Sequence, residues 1–373
     1  MTTPETPPGL PAASADGRAR AGALAEAATA TLLEPTDAVT YRSAGRLLVK
    51  GGEEAAVAAA RRLGEALDVY VLATDGAGER LDYPDVEDFG PRLLRGRLAG
   101  LDGYLGAFRA TVVDGERERD LAPRYGLARE DTFDLVLDLD RPAAIRREKP
   151  PLGYFAPGDD EAALAAALEA LPEYVGEFEK PRYFDYDASI CVHGSRGQAG
   201  CSACLDHCAT EAIHSLGERI EVDPFLCLGC GSCATVCPTG AIGYTAPAGE
   251  ALVDHLRGLL RRYREAGGAS AVVLFHDGEQ GSSAVEQWAA SMPESVLPVV
   301  VEDTGGIGPD AWLCALAFGA GRVLLAVPPD TPASERAATE GQLAVARAIL
   351  EGAGHPGDRL GVVTIGGDES LLA

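Results

Sequence analysis

Eight of the chain's nine cysteines fall between Cys191 and Cys237, and the ninth is Cys314. That crowding constrains the fold more than any other feature. A chain of 373 residues can bury apolar cores without disulfide staples, so thiols gathered in one short stretch point to metal chemistry in a reducing compartment. Their spacing narrows the chemistry. Cys227-x2-Cys230-x2-Cys233-x3-Cys237-Pro238 offers three thiolates from one tight loop, as three corners of an iron–sulfur cubane require, and sends a fourth toward another cluster. Gly229, Gly231 and Gly240 suit tight turns and close approach of backbone to sulfide. Zinc also takes four thiolates, but zinc ribbons use two separated CxxC knuckles rather than three cysteines in one loop.

The first motif is irregular. Cys201-x2-Cys204-x3-Cys208 aligns with the last three cysteines of the second, because Cys208-Ala-Thr-Glu-Ala-Ile matches Cys237-Pro-Thr-Gly-Ala-Ile. The regular first ligand would stand at Gln198, and Cys191, reached through the insert VHGSRGQAG, is the expected replacement. By the crossed rule for paired motifs, Cys191, Cys201, Cys204 and Cys237 hold one [4Fe–4S] cluster, and Cys208, Cys227, Cys230 and Cys233 hold the other. If Cys191 does not reach, three ligands remain and a [3Fe–4S] cluster is favoured there.

Around this segment the pattern is α/β. Residues 1–35 are rich in Pro, Thr and Ala and read as a flexible arm or one marginal helix. Residues 36–182 form an N-terminal α/β domain, with strands at Arg46–Val49, Val69–Ala73 and Leu135–Leu139 and helices at Glu53–Leu67 and Asp159–Leu171. Residues 183–246 carry the cysteines, and residues 247–373 alternate helix and strand so regularly that a mostly parallel sheet is expected. The fold class read from this order is an α+β dicluster module inserted between two α/β domains.

Lys+Arg of 32 against Asp+Glu of 57 gives a net charge of −25. Such a field repels phosphate backbones, so nucleic acid is not an expected partner. The N-terminus MTTPETPPGLP lacks the basic start of a secretion signal, and the longest apolar run, Ala311–Val327, contains Arg322 and is shorter than the ~20 residues of a membrane span. A cytoplasmic protein without a transmembrane segment is expected. No nucleophile elbow, HExxH pair or Walker lysine is present, so no catalytic residue is assigned and a stand-alone enzyme is not expected.

Residues 183–246 resemble a bacterial two-cluster [4Fe–4S] ferredoxin domain. With the flanks YVGEFEKPRYFDYDASICVHG and IEVDPFLCLGCGSCATVCPTGAI, the chain resembles the larger ferredoxin-type proteins often associated with formate dehydrogenase systems. The stretch LPVVVEDTGGIGPDAWLCALAFGAGRVLLAV is similar to the delta subunit of methyl-viologen-reducing hydrogenase. That subunit carries ligands for a further cluster in a loop where this chain has Glu302-Asp303-Thr304-Gly305 and no cysteine, so a third cluster is not expected. The resemblance implies an electron-transfer protein working with a redox partner such as formate dehydrogenase or a related complex. Two alternatives remain open: an oxidoreductase subunit with a cofactor-binding C-terminal domain, and an iron–sulfur maturation or assembly factor. Among other residues, Cys314 reads as core, His193 and His207 as hydrogen-bonding loop residues, and Gly305–Gly308 as a tight βα turn whose amides offer an anion site.

Overall fold

The computed structural model describes residues 10–27, 37–78, 80–82, 92–128, 131–194 and 200–367. Gln198 therefore lies outside the described residues, as do 1–9 and 28–35 of the expected arm. By backbone contacts the chain divides into two compact units, residues 1–38 with 181–373 and residues 39–180. The expected boundary at 246/247 falls inside the first unit. Part of the expected arm is a helix, α1 (Ala15–Ala27).

In residues 39–180, β1 (Ala38–Ser43) leads to a parallel βαβ unit of β2 (Arg46–Gly51), α2 (Glu53–Leu63) and β3 (Asp68–Ala73), and β4 (Leu93–Arg95) pairs parallel to β3. The chain then leaves the expected alternation. β5 (Leu98–Asp102), β6 (Arg109–Asp114) and β7 (Arg117–Asp120) form an antiparallel meander. Its signal in the sequence is Asp114-Gly115, and Gly115, at φ 67°, opens the two-residue turn Gly115-Glu116 between the paired Asp114 and Arg117. β8 (Leu135–Asp138) returns to the free edge of β2 and β9 (Tyr154–Phe155) pairs with β8, giving the parallel order β4-β3-β2-β8-β9. α3 (Glu161–Ala170), capped by the Asp160 carboxylate, precedes β10 (Gly176–Pro181), which pairs with β1. Leu48, Tyr70, Leu72, Phe108, Phe133 and Val136 fill the core. Where β2 and β8 end, the Lys50 ammonium is buried between Asp138 at 2.6 Å and Asp140 at 2.8 Å. Tyr154 donates to Asp138 at 2.6 Å, so the buried charges are paired and hydrogen-bonded.

The cysteine segment is built from four short strands and two single-turn helices. β11 (Phe184–Tyr186) is followed by α4 (Ala203–Asp206), β12 (Ile213–Ser215), β13 (Ile220–Val222), α5 (Ser232–Thr235) and β14 (Ile242–Tyr244). β12 and β13 form a hairpin, while β14 pairs antiparallel with β11 at the far end of the segment. Phe184, Ile213, Ile220 and Ile242 make a small core against which Cys204, Cys208, Cys227 and Cys233 pack.

The C-terminal sheet follows the expected order of elements. After α6 (Gly249–Glu265) come β15 (Val272–Asp277), α7 (Gln280–Trp288), β16 (Val296–Val301), α8 (Pro309–Ala317), β17 (Arg322–Val327), α9 (Ala333–Gly352) and β18 (Leu360–Thr364). All three pairings are parallel, in the order β16-β15-β17-β18. Side chains alternate between the sheet's two faces. Val273, Phe275, Val323 and Leu325 face the core that includes α6 and α8, and Leu274, Leu324 and Ala326 face α7. α1 joins the first of these cores. Its Ala19, Ala23 and Ala27 are buried there, Tyr263 donates to Asp16, and the guanidinium of Arg20 donates to the Pro11 carbonyl at 2.6 Å. Glu294 accepts from Ser14 N at 2.6 Å at the start of the helix. A face of small alanines carries little hydrophobic signal, which is why the helix reads as marginal in sequence and is ordered by packing.

Candidate metal centre

The two motifs fold into the same local turn. At Cys208 the sulfur accepts from Ala212 N at 3.3 Å and lies 3.5 Å from the Thr210 hydroxyl. At Cys237 the sulfur lies 3.8 Å from the Thr239 hydroxyl. Burial opposes ionisation of Cys237, but the N–H groups of Ile242, Thr239 and Ala241 and the Thr239 hydroxyl outweigh it and hold the thiol below its ordinary range. In each turn the residue three after the cysteine is left-handed, Glu211 at φ 52° and Gly240 at φ 68°.

The thiols feel one another across the two motifs. Burial pushes Cys204 up to about 11, and the nearby sulfurs of Cys201 and Cys237 add to the shift. Burial also raises Cys233, helped by Cys227, Cys208 and, last, Cys204. Cys191 is reached through Tyr186, whose hydroxyl is raised first by burial and then by the adjoining Cys191 and Cys204. Cys204 thus lies near Cys201 and Cys237, and Cys233 lies near Cys227, Cys208 and Cys204.

Cys230 faces the C-terminal region. Burial raises its thiol well above the ordinary value, and the carboxylates of Glu335 and Asp303 and the sulfur of Cys233 push the same way. Its surroundings come from the C-terminal sheet. The turn after β16, Thr304–Gly306, packs against the cysteine loop so closely that a Cβ on Gly305 would stand 2.7 Å from the Cys230 carbonyl oxygen. A Cβ on Gly231, at φ +75°, would stand 2.2 Å from Gly306 Cα. Tyr183 lays its ring over Gly229 and donates to Glu302 at 2.9 Å, and Tyr244 donates to the Gly229 carbonyl at 2.7 Å. The Asp303 carboxylate accepts from Gly305 N at 2.9 Å, so an amide of the expected anion site is occupied from within. Tyr183, Ser232, Glu302 and Glu335 were not legible as site residues, whereas Tyr244 stands in a hairpin pattern suited to covering a cluster. Gly229 and Gly231 hinted at a close approach, and the neighbours met there are Tyr183 and Gly306.

Three expected bystanders have settled places. His193 donates from Nδ1 to the Cys201 carbonyl at 2.8 Å, and its Nε2 meets the Ser215 hydroxyl at 2.7 Å. His207 donates to the Ala203 carbonyl at 2.8 Å. Cys314 lies in α8 and is partly exposed, short of the full burial expected of a core residue.

The donor set fits iron–sulfur clusters. Among the described residues no three His, Cys, Asp or Glu side chains converge as the ligands of a single ion do. Three thiols presented from one tight loop suit a cubane, whose corners are spread, better than zinc held by two separated knuckles. The Ser232 hydroxyl, buried between Cys230 and Cys233, finds no hydrogen-bond partner within the protein, and the buried Tyr186 hydroxyl lies against Cys191. Cluster sulfur is an acceptor such donors require. Bound there, a [4Fe–4S] cluster supplies one-electron chemistry, and the chain supplies thiolates, N–H and O–H donors and a shielded setting.

Fold and thiols together define an iron–sulfur module of ferredoxin type. Residues 220–243 match the 4Fe–4S binding domain family. The chain is 37% identical over 41 residues to a 7Fe ferredoxin of Hydrogenibacillus schlegelii, covering 11% of this chain and 53% of that protein. It is 41% identical over 39 residues to a ferredoxin of Alicyclobacillus acidocaldarius, covering 10% and 50%. Against an uncharacterized ferredoxin of Methanocaldococcus jannaschii it is 40% identical over 57 residues, 15% of this chain and 84% of that protein. The chain belongs to the ferredoxin family, and it spans about half the length of the first two relatives. It carries an iron–sulfur binding segment of the 4Fe–4S type. Among the described residues no helix is long and apolar enough to cross a membrane.

Proposed function

We propose that residues 183–246 hold two [4Fe–4S] clusters and relay single electrons to or from a redox protein. Cys191, Cys201, Cys204 and Cys237 ligate the outer cluster, and Cys208, Cys227, Cys230 and Cys233 the inner one. The carrying observation is that both motifs end in the same threonine turn, and that Cys204 and Cys208 of the first pack on one small core with Cys227 and Cys233 of the second. Such a repeat on one core suits two clusters that share two motifs. Each cluster cycles between 2+ and 1+, and no bond in an organic substrate is made. A dehydrogenase is the partner class we favour, formate dehydrogenase being the one the sequence resemblance suggests. The flanking α/β regions, 36–182 and 247–373, serve recognition and shielding.

Anaerobically purified full chain should contain about eight irons and give a [4Fe–4S]¹⁺ EPR signal after dithionite reduction. About seven irons, with a signal already present in the oxidised protein, would assign a three-iron outer cluster and remove Cys191 from the ligand set. Little iron and no signal would sink the reading.

A further inference from the structure

We propose that the face around Cys191 is the docking surface, and that its occupant is a one-electron redox protein with an apolar centre and a basic rim. The inference rests on the two-cluster reading and names the partner's chemistry and its landing place.

The two cluster sites differ in what covers them. The inner site lies under Thr304–Gly306 and the Tyr183 and Tyr244 rings. The outer site carries three large apolar side chains that face solvent: Ile190 at 46%, Val192 at 39% and Leu216 at 48% exposure. Ile190 and Val192 flank Cys191 in the chain. Leu216 sits at the tip of the β12–β13 hairpin, and that tip is held against the Cys191 segment. A Cβ on Gly194 would stand 2.1 Å from Glu218 Cα, and His193 ties the segment to Ser215 at 2.7 Å. Three exposed aliphatic residues gathered at a cluster ligand form a patch of the kind that marks a protein contact.

Charge specifies the occupant. Asp187 and Glu218, both exposed, stand beside the patch, and Asp185 and Glu221 are exposed on the strands behind it. Arg219 shares the hairpin, yet residues 183–246 hold seven acidic residues against two arginines. Two oxidised clusters with four thiolates each would add about −4. A basic rim is therefore drawn in at long range, and an apolar centre completes the contact at short range. One electron then leaves the outer cluster, which goes from 1+ to 2+, and the partner's redox centre is reduced by one. The inner cluster refills the outer one in the same single-electron step.

Cytochrome c, a basic haem protein that accepts one electron, is the probe. The full chain is reduced with dithionite, desalted and mixed with it in a stopped-flow instrument. The second-order rate should fall steeply with added salt, and V192S/L216S should lower it about tenfold. The rate with ferricyanide, a small acceptor that needs no docking face, should stay within about twofold in the same variant. The remaining exposed large apolar side chains among the described residues are Val175, Val345 and Ile349. A V345S/I349S variant on α9 should leave the cytochrome rate unchanged. Loss of rate in that variant instead, or none in V192S/L216S, overturns the docking surface while the clusters stand. Absence of the [4Fe–4S]¹⁺ signal before mixing overturns the cluster reading itself.

Discussion

Cys208 and Cys237 occupy one turn used twice. Each is followed two residues on by a threonine whose hydroxyl approaches the sulfur, and three residues on by a left-handed residue. Beyond that turn the two halves diverge. The inner half is pressed under the Thr304–Gly306 turn and carries Glu335 and Asp303 near Cys230. The outer half leads through Cys191 to exposed Ile190, Val192 and Leu216. Ligand geometry in this module is thus a local property, whereas burial and charge are set by whatever the rest of the chain lays over each half. Under the proposed relay, that asymmetry leaves one end shielded from solvent and the other open.

The largest test of the comparison exchanges one ligand in each half. Cys233→Ser should remove the inner cluster and lower the melting temperature strongly, because it empties the shielded side of the small core. Cys191→Ser should leave the inner cluster intact and convert the outer one to a three-iron species, read as an EPR signal in the oxidised protein and a loss of about one iron per chain. Equal damage from the two substitutions would break the distinction between the halves.

A middle-sized effect is expected at the glycine contact. Gly231→Ala places a Cβ against the Gly306 backbone at a positive φ, and should cost ~1–3 kcal/mol in chemical denaturation. The same variant should let a chelator strip the inner cluster faster, while the outer one is lost at its original rate. An unchanged denaturation curve would show that the Thr304–Gly306 turn does not press on the cysteine loop.

The smallest effects sharpen the comparison. Tyr186→Phe removes a buried hydroxyl beside Cys191, and Ser232→Ala removes one beside Cys233. A donor to cluster sulfur favours the more negative reduced state. Each change should therefore lower one potential by about 20–60 mV, the one-electron equivalent of a ~0.5–1.5 kcal/mol hydrogen bond. Redox titration followed by EPR should find the outer signal moved by the first substitution and the inner by the second. A shift of both signals by either variant would mean that the two hydroxyls do not serve separate clusters.

Much of this was legible in the chain. CxxCxxCxxxCP names a ligand type and loop shape because a tight turn is decided by residues a few positions apart. The C-terminal sheet was legible for a similar reason: each strand is a short apolar run such as Arg322–Val327, buried on both faces and separated from the next by a helix. The meander at Leu98–Asp120 escaped because only the Asp114-Gly115 pair marked it among charged residues.

What the sequence alone determined is the cofactor class and the parallel C-terminal sheet, both carried by spacing and periodicity over short distances. Tertiary structure decided the rest. It docked Asp16 and Arg20 of α1 against residues more than two hundred positions away, and it set Gly305 on the Cys230 carbonyl. It left Cys191 beside the exposed face. Contacts of that range leave no periodic trace, because each is fixed by how whole elements pack and not by the residues next to it in the chain.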